Sequence, residues 1–366
     1  MDNFRPFRHL KIKRLARVNL IVGKNNVGKT SLLEALHLYA SRGKAPVIWN
    51  LLRTREEAGD QQDEASITAR LTALKYLFYG RQEISPYPDD NLPPPIKIGS
   101  LGSANGLLSI AVGWYKMVYD PNLLTFSLQS LSANQFDHVQ APIPALILQY
   151  GPRSVIVRLD EKNNPFLKPV GPELKHIFLS TERVPKSKIK EWRDKAVIAD
   201  RYEQVDEALR IIAPHVQRTD IVNFHSTERD EQQAVVKLSG QSSYIPLNSL
   251  GEGMNRLFEI ALTTVNAKDS LLLIDEIDSG LHHAIQADVW RMIFELAQRL
   301  NIQVFATTHS WDCIEAFQAA ASQNEEVEGL LLSLRNKKGK PGEVVAILAD
   351  EEDLEMVVSY PMIEVR

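Results

Sequence analysis

The sequence predicts an α/β fold: a mixed sheet carrying a phosphate-binding loop, with an antiparallel β subdomain and a helical insertion. Three strand ends carry that prediction. Residues 23–30 read Gly-Lys-Asn-Asn-Val-Gly-Lys-Thr, a complete G-x-x-x-x-G-K-[ST] loop directly after the strand-like run Val18-Asn19-Leu20-Ile21-Val22. Far downstream, Ser270-Leu271-Leu272-Leu273-Ile274 runs into Asp275-Glu276. A third run, Gln303-Val304-Phe305-Ala306, leads to Thr307-Thr308-His309-Ser310. Short apolar runs ending in polar residues suit strands buried on both faces of a parallel sheet, whose carboxyl ends line the ligand crevice.

The first element explains the loop chemistry. A strand delivers Gly23, Lys24, Asn25, Asn26, Val27 and Gly28 to the start of a helix that continues Lys29-Thr30-Ser31-Leu32-Leu33-Glu34-Ala35-Leu36. Free N–H groups and the helix dipole there hold phosphate oxygens. Lys29 is placed to reach the β/γ-phosphates, and the Thr30 hydroxyl to bind Mg²⁺. No Asn/Thr-Lys-x-Asp element reads as a guanine site, so ATP is the expected nucleotide. Up to Thr30 the only acid is Asp2, against Arg5, Arg8, Lys11, Lys13, Arg14, Arg17, Lys24 and Lys29. That asymmetry reads as the solvated face of an antiparallel strand plus the loop itself. A basic surface for a phosphate backbone is the alternative.

The middle of the chain is more irregular. Arg53–Glu64 is polar, and the proline-rich Glu83–Pro95 reads as a loop or linker. Strands are expected at Ile96–Ile98, Leu107–Val118, Thr125–Leu131, Ala145–Tyr150 and Ser154–Leu159. Lys186–Ala213 reads as helical up to Pro214, followed by strands at Ile221–Phe224 and Ala234–Leu238. No heptad run extends beyond a few turns, which leaves no room for a long coiled-coil arm. The expected organisation is residues 1–75 as the loop-bearing part of a nucleotide lobe and 76–175 as the β subdomain with an insertion. A helical segment follows at 176–215, and 216–366 form the remaining lobe.

In that last lobe, Leu247-Asn248-Ser249-Leu250-Gly251-Glu252-Gly253 precedes Met254, Leu257, Phe258, Ala261, Leu262 and Val265 at helical spacing. The Ser/Gly segment therefore reads as a helix start and a second anion site. Asp275 is the expected Mg²⁺ holder, and Glu276 the residue that orients or deprotonates the attacking water. Ile277-Asp278-Ser279-Gly280-Leu281-His282 follows, then a helix with Ile285, Val289, Met292, Ile293, Leu296 and Leu300 on one face. His282-His283 does not read as a metal pair, because adjacent side chains rarely converge on one ion. Trp311-Asp312-Cys313 reads as helix-start packing, Asn336–Lys340 as a basic turn, and Asp350-Glu351-Glu352-Asp353 as a solvated helix start.

Composition sets the outer limits. The 366 residues are 44% hydrophobic and 24% charged, with a net charge of −4 and a single cysteine. These values suit an ordinary globular chain of one or two domains without disulfides or a multi-cysteine zinc site. No apolar run reaches membrane-spanning length and no N-terminal apolar signal core is present. A cytoplasmic location without membrane contact is expected.

The order of these motifs resembles ABC-type ATPase heads of the SMC and double-strand-break-repair branch. It is closest to the overcoming-lysogenization-defect (OLD) family of AAA-labelled ATPases. Phe4–Arg8, Val18–Asn26, Ser249–Gly253, Ala306–Asp312 and Ile363–Arg366 carry that likeness. It implies a P-loop NTPase of ABC-head type, one split ATPase head across 1–366. Ser249, Gly251, Glu252 and Gly253 then resemble the signature that contacts ATP held by a second subunit. Asp278, Ser279 and His282 resemble the D-loop, and His309 the switch histidine that senses γ-phosphate. Leu250 stands where glycine is usual and His282 where aspartate is common. Without an evident Q-loop glutamine, Phe178–Arg183 is the candidate for that strand end.

The resemblance implies ATP and Mg²⁺ as cofactors and an ATP-sandwich homodimer or higher oligomer that hydrolyses ATP. No Toprim-like or His-Asn-His nuclease pattern follows His309, so the expected effector is a separate protein, a nuclease in phage defence. An SMC-like DNA-repair clamp, with DNA as a ligand, and an ATP-bound scaffold that seldom hydrolyses are the alternatives.

Overall fold

A computed structural model describes residues 1–59, 66–88, 91–100, 106–121, 125–132, 135, 139, 141–161, 169–225, 230–324, 326–337, 339–340, 343–350, 353–354 and 356. The expectations on Asp60–Glu64, Asp89–Asp90, Lys338, Glu351–Glu352 and Ile363–Arg366 lie outside the described residues. The chain divides into two compact units. The first takes Met1–Lys11, Glu34–Leu174 and Asn336–Val345; the second takes Ile12–Leu33, Lys175–Arg335 and Ala346–Arg366.

The N-terminal elements are β1 (Asp2–Phe4), β2 (Phe7–His9), β3 (Val18–Gly23), α1 (Lys29–Ala40), α2 (Ala45–Thr54) and α3 (Ile67–Leu74). Then come β4 (Ile96–Gly99), β5 (Leu107–Asp120), β6 (Thr125–Ser130), β7 (Ile143–Tyr150), β8 (Arg153–Arg158) and β9 (His176–Leu179). After these lie α4 (Lys186–Ile198), α5 (Glu203–Ile212), β10 (Val216–His225), β11 (Asp230–Leu238), β12 (Ile245–Pro246) and α6 (Glu252–Asn266). The chain continues as β13 (Leu271–Ile274), α7 (His283–Arg299), β14 (Gln303–Thr307), α8 (Trp311–Ala321), β15 (Gly329–Asn336) and β16 (Val344–Ala349).

The first unit is the antiparallel sheet, in order β2-β1-β4-β5-β7-β8 with β6 on β5. Along β5, buried Leu108, Ile110, Val112 and Trp114 alternate with partly exposed neighbours, the period-two pattern of a half-buried strand. The unit also buries charge. Arg5 Nε lies 2.8 Å from Glu34 Oε2, and its Nη1 donates to Glu57 at 2.8 and 2.9 Å. Arg55 Nε donates to Glu34 Oε1 at 2.7 Å. Burial pushes the Glu34 carboxyl above its ordinary value, against the pull of both arginines. Removing one partner would strand a buried charge, a loss of about 3–5 kcal/mol.

The second unit holds the sheet β16-β15-β3-β14-β13-β9. β15, β3, β14, β13 and β9 run parallel, and their register aligns the carboxyl ends. Ile274 pairs with Ala306 and Leu179, and Thr307 with Ile21. The loop strand and the acidic strand share this sheet as expected, with β14 between them. α6 and α7 bury Phe258, Leu262, Val289, Met292 and Ile293, the faces their periodicity marks. Trp290 and Phe317 meet edge to face at 4.9 Å, joining α7 to α8. Fully burying each such side chain is worth about 1.5–3 kcal/mol.

Two expectations change at the element level. The single helix over Lys186–Ala213 is two, α4 and α5, broken where Asp200 takes φ 52° and Arg201 N bonds back to Ala196 O. The strands at Ile221–Phe224 and Ala234–Leu238 are the carboxyl-terminal halves of the two strands of a longer hairpin, β10–β11, which β12 extends. Its polar residues hid the strand pattern from sequence. The five expected strands of the β subdomain match β4–β8 within two residues at each end.

Candidate nucleotide site at the carboxyl edge of the parallel sheet

All of the expected site residues lie in the second unit. β3 ends at Gly23, whose φ of 145° and position against β15 exclude a side chain. A Cβ there would stand 2.4 Å from Leu334 O. Asn26 (φ 63°) and Gly28 (φ 108°) turn the loop, and Leu32 N bonds to Gly28 O as the helix begins. Lys29 is 4% exposed, and its Nζ donates to Gly23 O at 2.6 Å and Lys24 O at 3.1 Å. Burial lowers its pKa to about 8, against the pull of Glu276 and Asp275. Ser31 is buried beside it in the first turn.

The acidic strand end meets the loop through hydrogen bonds. Thr30 Oγ1 donates to Asp275 Oδ1 at 3.1 Å, and Thr307 Oγ1 donates to the same oxygen at 2.6 Å. Thr30 and Asp275 together present hard oxygen donors, the set that fits Mg²⁺. Glu276 is partly exposed and takes φ 44°, the left-handed region that costs a non-glycine residue roughly 1–3 kcal/mol. Its Oε1 lies 3.7 Å from His309 Nε2. Burial, and then the positive charge of Lys29, hold His309 below its ordinary pKa, so the ring is neutral near pH 7.

The remaining motifs surround this centre. Asp278–His282 forms a turn in which Ser279 N bonds to Glu276 O and Leu281 N to Asp278 O. His282 caps α7, its Nδ1 accepting the Ala284 N–H at 3.2 Å. Ser249 lies in a short 3₁₀ turn, Leu247–Leu250, and Gly251 (φ 92°) caps α6. Ser249, Gly251 and Glu252 are exposed, while a Cβ on Gly253 would lie 3.0 Å from Gly280 O. The segment 249–253 thus packs against the turn after the acidic strand through Gly253 and leaves Ser249 and Glu252 exposed. Ser180-Thr181-Glu182-Arg183 follows β9, the strand beside the acidic one.

Two residues that hold this centre have no role assigned from sequence. Thr307, in sequence only one residue of the Ala306–Asp312 stretch, also accepts the Glu276 N–H at 2.8 Å. Arg256 sits on α6, 8% exposed, and donates to Asp275 O at 2.9 Å and Ser180 O at 3.2 Å. Nothing in the sequence marks Arg256, which falls opposite the Met254, Leu257, Phe258, Ala261, Leu262 and Val265 stripe, where a charged residue reads as solvated. Cys313 is buried, its thiol pushed up to about 12 by burial, and Ser310 caps the helix that holds it. That matches helix-start packing. Of the N-terminal cations, Arg5 and Lys29 are buried, Arg14 pairs with Glu328 and Asp350, and Arg17 donates to Asn301.

Residues 1–76 and 131–314 match the AAA_15 family, an AAA ATPase domain, over well above half of the chain. An "ATP/GTP phosphatase" of Helicobacter pylori is 23% identical over 340 residues, covering 86% of this chain and 85% of its own. The "DNA replication and repair protein RecF" of Desulforudis audaxviator is 34% identical over 84 residues, 23% of this chain and 22% of its own. A solved SMC head bound to the C-winged helix domain of ScpA is 13% identical at a TM-score of 0.46, with 97% of each chain covered. The chain belongs to the AAA_15 family and is an ATPase.

Proposed function

We propose that this ATPase is an ATP-gated switch, one split head across residues 1–366, in which two copies close over two nucleotides and control a separate effector. The observation that carries the reading is the bonded run Thr30–Asp275–Thr307 beside the Glu276–His309 pair. Loop N–H groups and Lys29 hold the β/γ-phosphates of ATP. Thr30 and Asp275 hold Mg²⁺, which when bound neutralises charge on the phosphate oxygens. Glu276 takes the proton of the attacking water, and neutral His309 donates to the γ-phosphate. The exposed Ser249, Gly251 and Glu252, with Gly253 beside them, serve the nucleotide of the second copy, with Asp278, Ser279 and His282 at the junction.

The effector half of the reading rests on the resemblance of Ser249–Gly253 and Ala306–Asp312 to OLD-type ATPases. It is a nuclease acting in phage defence, in the cytoplasm. The short match to RecF favours a second reading, a repair ATPase that clamps DNA. Glu276 and His309 weigh against a scaffold that binds ATP without hydrolysing it. The test is ATP turnover with and without duplex DNA, alongside the solution mass of Glu276→Gln with ATP. A dimer formed only with ATP supports the switch, and DNA-stimulated turnover would move the reading to the clamp. No turnover under any condition would leave the scaffold.

A further inference from the structure

Glu276 is held by its backbone, not by its side chain. The Asp275 carbonyl and the Glu276 amide are the two ends of one peptide group. Arg256 Nη2 donates to that carbonyl at 2.9 Å and, at a long 3.5 Å, to the Glu276 carbonyl. From the other end, Thr307 Oγ1 accepts the Glu276 N–H at 2.8 Å and donates to Asp275 Oδ1 at 2.6 Å. The peptide plane is therefore fixed at both ends. What it fixes is a left-handed residue, φ 44°, a conformation the chain leaves unless contacts hold it there.

The two clamps come from different elements. Thr307 closes β14, the strand that leads to His309. Arg256 lies one turn into α6, whose first residues follow Ser249 and Gly251. Its Nη1 also donates to Ser180 O at 3.2 Å, just past β9, and Glu259 lies 3.7 Å away as a counter-charge. A shift of α6 then bears on the Asp275–Glu276 peptide through this guanidinium, whose planar fork sets the direction of its donors.

We infer that Arg256 is a positioning residue that sets Glu276 for attack and couples the signature end of α6 to hydrolysis rather than to nucleotide binding. The inference rests on the proposed ATPase reading, with Glu276 as the group that takes the water's proton. Thr307 serves the same peptide from the opposite side. A second copy that engages the signature end thereby acts on the Glu276 of this copy.

The test compares Arg256→Lys, Thr307→Val and Thr307→Ser with the wild type in turnover, ATP affinity and melting temperature. Arg256→Lys keeps the charge and loses the planar fork, and Thr307→Val keeps the shape and loses the hydroxyl. Both are expected to lower kcat about tenfold to a hundredfold, the scale of a misplaced reacting group, and Arg256→Lys, which touches no side chain proposed to hold Mg²⁺, keeps ATP affinity within about twofold. Thr307→Ser restores most of the turnover lost in Thr307→Val. In a Glu276→Gln background, Arg256→Lys adds no further loss to single-turnover hydrolysis, as expected of residues acting as one unit.

A folded Arg256→Lys with wild-type kcat overturns the inference. So does a loss of affinity in step with kcat, or an undiminished effect in the Glu276→Gln background. Should Arg256→Lys fail to fold, Thr307→Val decides, and unchanged turnover there overturns the clamp. Wild-type protein that never hydrolyses ATP overturns the ATPase reading itself, and the inference with it.

Discussion

Lys29 shows how far one residue's environment reaches. Its ammonium is buried against the carbonyls of Gly23 and Lys24, which brings its pKa to about 8 from 10.5. The folded state releases this proton more readily than the unfolded chain, so stability rises with pH between about 8 and 10.5. A polyphosphate beside the ammonium favours the charged form and reverses that shift. Nucleotide binding should therefore take up a proton at pH 8 and above, and affinity should weaken as pH rises through that point. Calorimetry in two buffers of different ionisation heat measures the uptake, and Lys29→Ala should abolish it along with most of the affinity. Binding without proton exchange at pH 8.5 would count against the assignment. Lys29, Thr30 and Asp275 were legible in sequence because each lies in a contiguous motif. Thr307 and Arg256 were not, because their contacts exist only once β14 is set beside β13 and α6 is packed over the strand ends.

At the scale of elements, the sheet order decides what each strand end meets. The sequence placed β3 and β13 in one sheet but carried no sign of β14 between them, nor of β15 on the far side of β3. Strand order depends on crossovers that no local pattern encodes. β15 is what makes Gly23 irreplaceable, since the Leu334 carbonyl occupies the space of a Cβ. Gly23→Ala should lose stability from both the backbone angle and the clash, about 2–4 kcal/mol in a denaturant titration. Gly240 separates the two causes. It takes φ 80° with nothing within 4 Å of a built Cβ, so Gly240→Ala should cost only about 1 kcal/mol. Equal losses at both positions would mean that β15 does not press on the loop. The break between α4 and α5 was equally hidden, because Ala199–Tyr202 carries neither glycine nor proline to mark it.

At the scale of the whole molecule, the question is whether one chain contains a complete site. The loop, the acidic strand end and His309 converge within one unit, whereas Ser249, Gly251 and Glu252 stand exposed at the start of α6. If those residues act on the nucleotide of a second copy, Ser249→Arg should abolish turnover while leaving ATP bound to the loop. Lys29→Ala should abolish both. Mixing the two inactive proteins then gives an outcome that only a shared site allows. In a mixed pair, one interface carries both lesions and the other carries neither, because an isologous dimer exchanges the same surfaces in both directions. Random pairing should restore about a quarter of wild-type turnover, half the dimers being mixed and each holding one intact site. An in-chain site predicts no recovery at any mixing ratio, since every chain then carries its own defect. Recovery that rises with the mixed fraction and disappears on dilution below the dimer's dissociation constant would assign Ser249 to the neighbour's nucleotide.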